Sequence, residues 1–259
     1  MRTLIGAGKL FLYGLWSCVM IPPQFILILF TGGPIALVMP RIFHIVSCKL
    51  FNIECVITGA PMEKKHVVFV GNHLSYLDIP TMGVHFYGSF IAKQDVAGWF
   101  LFGLLAKLSR TLFISRQRSQ AAYTRKKLDE ALVDGRPLVL FAEGTSSDGS
   151  QVLPFKSSLF ESVIGTGKSL KVQPFTLILD SVDGHPVRTQ ADRDHYAWYG
   201  DMELEPHLWA FAKSKGARLI LHVHPARDPA AYDNRKDLAR DCHADSVRGL
   251  ALDFAAKAA

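Results

Sequence analysis

The longest uncharged stretch of this chain, Leu10 to Pro40, limits its architecture more than any other feature. Lys9 precedes the run, Arg41 follows it, and the first acidic residue in 259 is Glu54. A helix buried on one face of a soluble domain carries polar residues on the other, and this segment supplies almost none. As one straight helix it would reach about 46 Å, beyond a hydrocarbon core of about 30 Å. Pro22-Pro23 argues against such a rod, because each proline removes a backbone donor and crowds the preceding turn. Gly32-Gly33-Pro34 is a second break. The portion before Pro22 spans only about 18 Å as helix, too short to cross alone.

Three readings follow: a kinked span, a re-entrant or interfacial hairpin, or a signal peptide. No Ala-x-Ala-like site closes a short apolar region, which counts against the last. Cations flank both ends, so no single-span orientation emerges, and a hairpin with both ends cytoplasmic is preferred. A run this long without charge argues against a helix pair merely packed on the protein itself.

Charge divides along the same line. The formal net charge is +6, and Arg2, Lys9, Arg41 and Lys49 supply +4 of it within residues 1–53. The rest of the chain holds 25 basic and 23 acidic residues. A nucleic-acid binder needs a basic stripe on its folded body, whereas a basic excess around an apolar segment suits an anionic membrane surface. Cys18, Cys48, Cys55 and Cys242 form no metal or redox spacing and read as small buried hydrophobes in a reducing compartment.

Beyond residue 50, short apolar runs alternate with helical stretches. Strands are expected at Cys55–Thr58, His66–Val70, Ser89–Ala92, Thr111–Ile114, Leu138–Phe141, Val172–Leu179 and Arg218–Val223. Helices are expected at Ile79–Phe86, Trp99–Leu108, Gln120–Val133, Phe155–Ile164, Glu203–Lys213 and within Tyr232–Phe254. Several strands are continuous apolar runs, as in a sheet covered on both faces. The expectation is an α/β fold with a single mostly parallel sheet flanked by helices, preceded by a hydrophobic helical membrane arm. The arm is assigned to residues 1–45 and the catalytic domain to residues 46–259.

Two segments carry chemistry. In Asn72-His73-Leu74-Ser75-Tyr76-Leu77-Asp78, His73 follows a strand, at the edge where open α/β sheets build their sites. Asp78 on the following helix can reach back to one imidazole nitrogen and fix the tautomer, leaving the other as a base. Equally, Ser75 or Asp78 can cap a helix locally with His73 incidental. In Phe141-Ala142-Glu143-Gly144-Thr145-Ser146-Ser147-Asp148-Gly149, polar glycine-rich chain leaves a buried strand. Gly144 permits close backbone approach and Thr145 to Ser147 offer hydroxyls, while a plain turn at Asp148-Gly149 is the alternative. Neither Ser146 nor Ser147 stands in G-x-S-x-G, so a covalent serine nucleophile has no support.

NHxSxxD followed by F-x-E-G-T about seventy residues on resembles the glycerolipid acyltransferase family, of the 1-acylglycerol-3-phosphate type. Lys93 after the third strand, Phe113-Ile114-Ser115-Arg116 and Val172-Gln173-Pro174-Phe175 resemble further blocks of that family, and the likeness covers roughly residues 55–180. The resemblance implies transfer of a fatty acyl group from acyl-carrier-protein or coenzyme A thioester to a lysolipid hydroxyl. It implies His73 as general base and Asp78 as its partner, with Glu143, Gly144 and Thr145 shaping the acceptor site and Arg116 anchoring an anionic head group. No metal, cofactor or covalent enzyme intermediate is implied. Its localisation implies a bacterial-type inner membrane with the catalytic domain facing the cytoplasm.

Two positions depart from the pattern: Ala142 stands where proline is common, and Ser146 where an arginine follows EGT. EGTSSDG with VLPFKSSLF and the later Trp198-Tyr199-Gly200-Asp201-Met202 is similar to the lyso-ornithine-lipid branch, whose acceptor has no phosphate. Lys156 remains available to an anionic acceptor, so 1-acyl-sn-glycerol-3-phosphate is the competing substrate. A soluble thioester hydrolase could share the His/Asp logic but needs no arm. A non-catalytic membrane-binding protein explains the arm and leaves both motifs unexplained.

His222 and His224 alternate on one strand face and read as satisfied strand histidines rather than metal ligands. Arg118, Arg125, Lys126 and Lys127 read as a solvated helix face, and Asp192, Asp194, His195 and Asp201 as loop residues without metal-site spacing.

Overall fold

The computed structural model describes residues 1–114, 126, 130–131, 135–161, 163 and 170–258, with side chains to residue 253. Its strands are β1 (Ile53–Gly59), β2 (Val67–Gly71), β3 (Ser89–Lys93), β4 (Leu112–Ile114), β5 (Leu138–Phe141), β6 (Lys171–Val182), β7 (His185–Pro186) and β8 (Ala217–Val223). Its α-helices are α1 (Arg2–Phe30), α2 (Val38–Phe51), α3 (Asp78–Gly83), α4 (Phe100–Leu108), α5 (Gln190–Asp194), α6 (Leu204–Ala212) and α7 (Arg235–Ala258). One sheet runs β1-β8-β6-β2-β5-β3-β4, with β7 paired to β6. From β6 to β4 all neighbours are parallel. β8 lies antiparallel to β6 and carries β1 parallel to itself at the edge.

Alternation along β2 shows why the sheet needs two covers. Val67 and Phe69 face a core with Phe86, Phe175, Leu177 and Phe211, while Val68 and Val70 face another with Leu138, Leu140, Leu238 and Cys242. The expected α/β sheet, mostly parallel and flanked by helices, is therefore present.

Local differences have local causes. Within the expected helix at Phe155–Ile164, the described residues form only a 3₁₀ turn, Ser157–Phe160. Leu153 and Lys156 spend their N–H groups on Glu143 and Ala142, which ties this stretch to the chain leaving β5. The expected loop around Asp192 contains α5, closed at its start by a capping box between Thr189 and Asp192. The helix expected at Gln120–Val133 lies almost wholly outside the described residues.

Pro22 and Pro23 do not end α1, which continues through both. Packing carries it. Gly6, Ser17, Met20 and Gln24 are its buried residues, and it rests on α2, α4 and α6. Just past the prolines, Gln24 Nε2 donates to Ala36 O (3.0 Å) and Leu108 O (2.6 Å), locking the helix where its own ladder is weakest. The Gly32-Gly33-Pro34 break is real: Gly33 has φ +59° and opens a 3₁₀ turn that leads into α2. α2 then runs unbroken across residues 45 and 46, the expected junction, and ends at Phe51. The arm is thus a pair of helices, both long and apolar enough to cross a membrane, that rests on the protein by one face and leaves most of α1 exposed. Cys18, expected inside, is exposed on α1, whereas Cys48 and Cys242 are buried.

Candidate active site

β2 and β5 are parallel neighbours with Gly71 opposite Phe141, so both motif segments leave the sheet at one place. Gly71 allows this. A Cβ there would lie 2.4 Å from the Phe175 ring and 2.6 Å from its carbonyl oxygen. Asn72 then extends the β2–β6 ladder with its side chain, donating to Leu177 O (2.8 Å) and accepting from Leu177 N (2.7 Å). The chain turns with its amide groups satisfied, and His73 emerges at the carboxyl edge of the sheet.

Asp78 is the first residue of α3 and is wholly buried. Its Oδ2 accepts from His73 Nδ1 (2.7 Å), Leu74 N (2.7 Å) and Ser75 N (3.0 Å). One carboxylate therefore both closes the turn and engages the imidazole. The His73 side chain keeps 21% of its surface exposed. With Nδ1–H on Asp78, the lone pair lies on Nε2, for which no partner exists among the described residues. The ring also lies flat on Phe141, centroids 3.9 Å apart and planes at 14°. Asp78 sets the tautomer, and Phe141 sets the plane.

Glu143 joins the two motifs from beneath. It is 1% exposed, and its Oε2 accepts from His73 N (3.1 Å) while Oε1 accepts from Leu153 N (2.7 Å). Burial pushes its carboxyl up to about 8, against the lowering by those two N–H groups and with a further rise from nearby Asp78. Gly144 has φ +68°, and a Cβ on it would stand 3.0 Å from Lys156 Cδ, so the lysine stem runs across this glycine. Thr145 is exposed, and Ser147 N donates to His73 O (2.9 Å). Ser146 Oγ donates to Trp198 O (2.5 Å). Lys93 ends β3, two strand spacings or roughly 10 Å from β2 along the same edge. Arg116 lies outside the described residues, as do Arg118, Arg125 and the structure of Lys127.

Tyr196 and Trp198 join this site although the motifs do not include them. Tyr196 is fully buried and its hydroxyl donates to Asp78 Oδ1 (3.0 Å). Trp198 N donates to Leu74 O (2.9 Å), and its ring packs edge-on against Tyr76 and Trp99. The sequence marks Trp198-Tyr199-Gly200-Asp201-Met202 as a block, yet no spacing links Tyr196 to an aspartate 118 residues earlier. His222 and His224 do share a face, ring centroids 4.8 Å apart, but pair with Thr58 Oγ1 (3.0 Å) and Thr176 Oγ1 (2.9 Å). Among the described residues no three His, Cys, Asp or Glu side chains gather into a metal-holding group.

An imidazole with a buried carboxylate on one nitrogen and an open second nitrogen can take a proton from an alcohol as its oxygen attacks an acyl carbon. Known proteins similar to this chain are acyltransferases. A family model described as Acyltransferase matches residues 52–178. The lyso-ornithine lipid O-acyltransferase of Rhodobacter capsulatus is 35% identical over 206 residues, covering 78% of this chain and 71% of the relative. That of Brucella abortus is 33% identical over 218 residues, covering 82% and 81%. A 1-acyl-sn-glycerol-3-phosphate acyltransferase of Neisseria gonorrhoeae is 29% identical over 197 residues, covering 76% and 73%. The crystal structure of the 1-acyl-sn-glycerophosphate (LPA) acyltransferase of Thermotoga maritima shares the fold, with TM-score 0.66, 18% identity and 96% of each chain covered. The paired motifs at the ends of β2 and β5, the matched fold and these relatives make this chain an enzyme of the acyltransferase family.

Proposed function

We propose that the chain is a lysolipid O-acyltransferase that esterifies the free hydroxyl of lyso-ornithine lipid, with acyl-carrier-protein or coenzyme A thioester as donor. The observation that carries the chemistry is the 2.7 Å contact between His73 Nδ1 and Asp78 Oδ2, with Nε2 left open. The acceptor hydroxyl gives its proton to Nε2 as its oxygen attacks the thioester carbonyl carbon. The tetrahedral intermediate collapses, the carbon–sulfur bond breaks, and the imidazolium returns the proton to the leaving sulfur. Atoms and protons balance with no further cofactor, and Asp78 stabilises the imidazolium between the two steps.

Relatives named for lyso-ornithine lipid, at 32–35% identity, support the acceptor. Ser146 supports it too, since a phosphomonoester carries close to two negative charges and its sites gather several cations. Ser146 instead binds the Trp198 carbonyl. The test measures lyso-ornithine lipid and lysophosphatidate side by side in one detergent and salt condition. Wild type is expected to favour lyso-ornithine lipid in kcat/KM, and Ser146→Arg to narrow or reverse that preference. A wild-type preference for lysophosphatidate that Ser146→Arg leaves unchanged would overturn the acceptor assignment.

The arm, read as lying in the membrane interface, brings the enzyme to its lipid. At one end of α1, Arg2 pairs with Asp183 (2.9 Å) and Lys9 Nζ donates to Ser214 O (3.0 Å); at the other, Gln24 binds Leu108 O. Contacts that tie α1 to the catalytic body near both ends favour an arm lying along the interface over one that crosses it. Its outer face exposes Leu4, Phe11, Leu15, Val19, Phe25 and Leu29, and neighbouring α4 exposes Phe100 and Leu104. The cytoplasmic leaflet of an inner membrane, anionic and adjacent to soluble thioester donors, fits this surface and the basic arm. Phe11→Asp with Phe100→Asp is expected to weaken binding to anionic vesicles at least tenfold, because each removes roughly 1.5–3 kcal/mol of apolar burial. Unchanged co-sedimentation would mean that another surface docks.

A further inference from the structure

Asp78 receives four donors, and they fall unequally. Oδ2 takes three from its own turn, and Oδ1 takes one, from Tyr196. The three come with the motif itself, because His73, Leu74 and Ser75 are its near neighbours in sequence. The fourth arrives from the segment after α5, beyond the residues matched by the family model. Tyr196 is fully buried against Phe211, ring centroids 5.9 Å apart and planes at 80°. Its one proton has a single good destination. Thr81 Oγ1 stands 3.3 Å away, but Thr81 spends its own proton on Leu77 O at 2.7 Å, so this pair adds little. The anionic oxygen at 3.0 Å is the stronger acceptor, and a hydrogen bond to a charged group is about twice as strong as a neutral one.

We propose that Tyr196 is a positioning residue for the transfer: by holding Asp78 Oδ1 it orients the carboxylate toward His73 and limits how tightly that carboxylate binds the imidazolium. This rests on the proposed base role of His73. Two physical consequences follow. Without the phenol, Oδ1 is a buried oxygen with no donor among the described residues, and the carboxylate is free to rotate away from the Nδ1 direction. The carboxylate also becomes more basic, so it stabilises the protonated ring more strongly and His73 gives up its proton only at higher pH. The other titratable groups facing Asp78 and Tyr196 are Glu143 below the turn, Cys55 on β1 and Cys48 on α2. Burial pushes both thiols up to about 12, so they stay neutral over the working range. Glu143 is the same in wild type and variant, so a difference between their profiles reports on Tyr196.

The experiment compares full-length wild type, Tyr196→Phe, Phe211→Leu and His73→Ala in detergent, measuring kcat/KM for acyl transfer from pH 5 to 9 and thermal stability for each. Tyr196→Phe is expected to lower kcat/KM roughly 10- to 100-fold and to move the acid limb upward by roughly 0.5–1 pH unit. Phe211→Leu loosens the same core without touching Asp78, and is expected to lower thermal stability while leaving the acid limb in place. The proposal is overturned if Tyr196→Phe matches wild type, or if it loses rate and stability with an unmoved acid limb as Phe211→Leu does. Full activity in His73→Ala would instead defeat the base assignment on which the proposal stands.

Discussion

His73→Ala is expected to reduce acyl transfer by a factor of about 10²–10⁴, the range that a positioned general base contributes. Folding and vesicle binding should be retained, because the ring is partly exposed and lies at the rim of the core rather than within it. Asp78→Asn keeps the side-chain volume and removes the charge. The amide presents either an oxygen or an NH₂ to a position where three donors now converge on one oxygen. Either orientation loses the stabilisation of the imidazolium, and the NH₂ orientation also favours the wrong His73 tautomer. Transfer should fall substantially while a measurable residue survives, since the imidazole remains. The measurement is single-turnover acyl transfer with the acceptor saturating, alongside circular dichroism of each variant. Wild-type turnover by His73→Ala would remove the dyad from the mechanism.

Glu143 supports the stability of the site as well as its shape, through two N–H groups from different segments. Glu143→Ala leaves the N–H groups of His73 and Leu153 without their acceptors in a partly buried place. Each unsatisfied donor costs about 1–3 kcal/mol, so the loss is roughly 2–6 kcal/mol before any cavity is counted. A loss of that size is a large part of a typical domain's stability, so the chain leaving β2 should come apart from that leaving β5. Glu143→Gln keeps one acceptor oxygen and should cost about half as much. The pH dependence separates charge from geometry. The native carboxyl is pushed up to about 8, whereas an unfolded glutamate titrates near its ordinary value of about 4.3. Between those values the native state holds a proton that the unfolded chain has released, so this group's contribution to stability declines as pH rises through that window. Thermal unfolding of wild type and Glu143→Gln from pH 4 to 8.5 tests this, and the variant's curve should be flatter. Parallel curves would mean that Glu143 is ionised throughout, held by its two N–H donors.

The α/β class, seven of the eight strands to within three residues of their ends, and both motif segments were legible in the sequence. These are local properties: β-rich apolar runs, glycines and polar exits at strand ends, and a histidine and an aspartate close enough to meet across one turn. The shortest strand, β7, pairs only two residues with β6 and has no pattern to read. The longest, β6, extends beyond the apolar run of Val172–Leu179 because pairing with β8 and β7 continues through Val182.

Tertiary structure decided what depends on elements distant in the chain. Strand order brought residues 73 and 143 to one edge, since two parallel strands need a crossover between them and no local pattern names the neighbour. Burial decided that Glu143 braces the His73 turn from below, because its side chain lies under the loop whose hydroxyls the sequence had advertised. The same was true of α1, where proline chemistry argued for a break and one packed face, with Gln24 bonded past the prolines, kept the helix continuous. Tyr196 is the clearest case. A buried phenol meets a buried carboxylate 118 residues away only because the segment after α5 folds back over the turn before α3. Hydrogen bonds of that kind are specified by three-dimensional proximity and leave no periodicity in the chain.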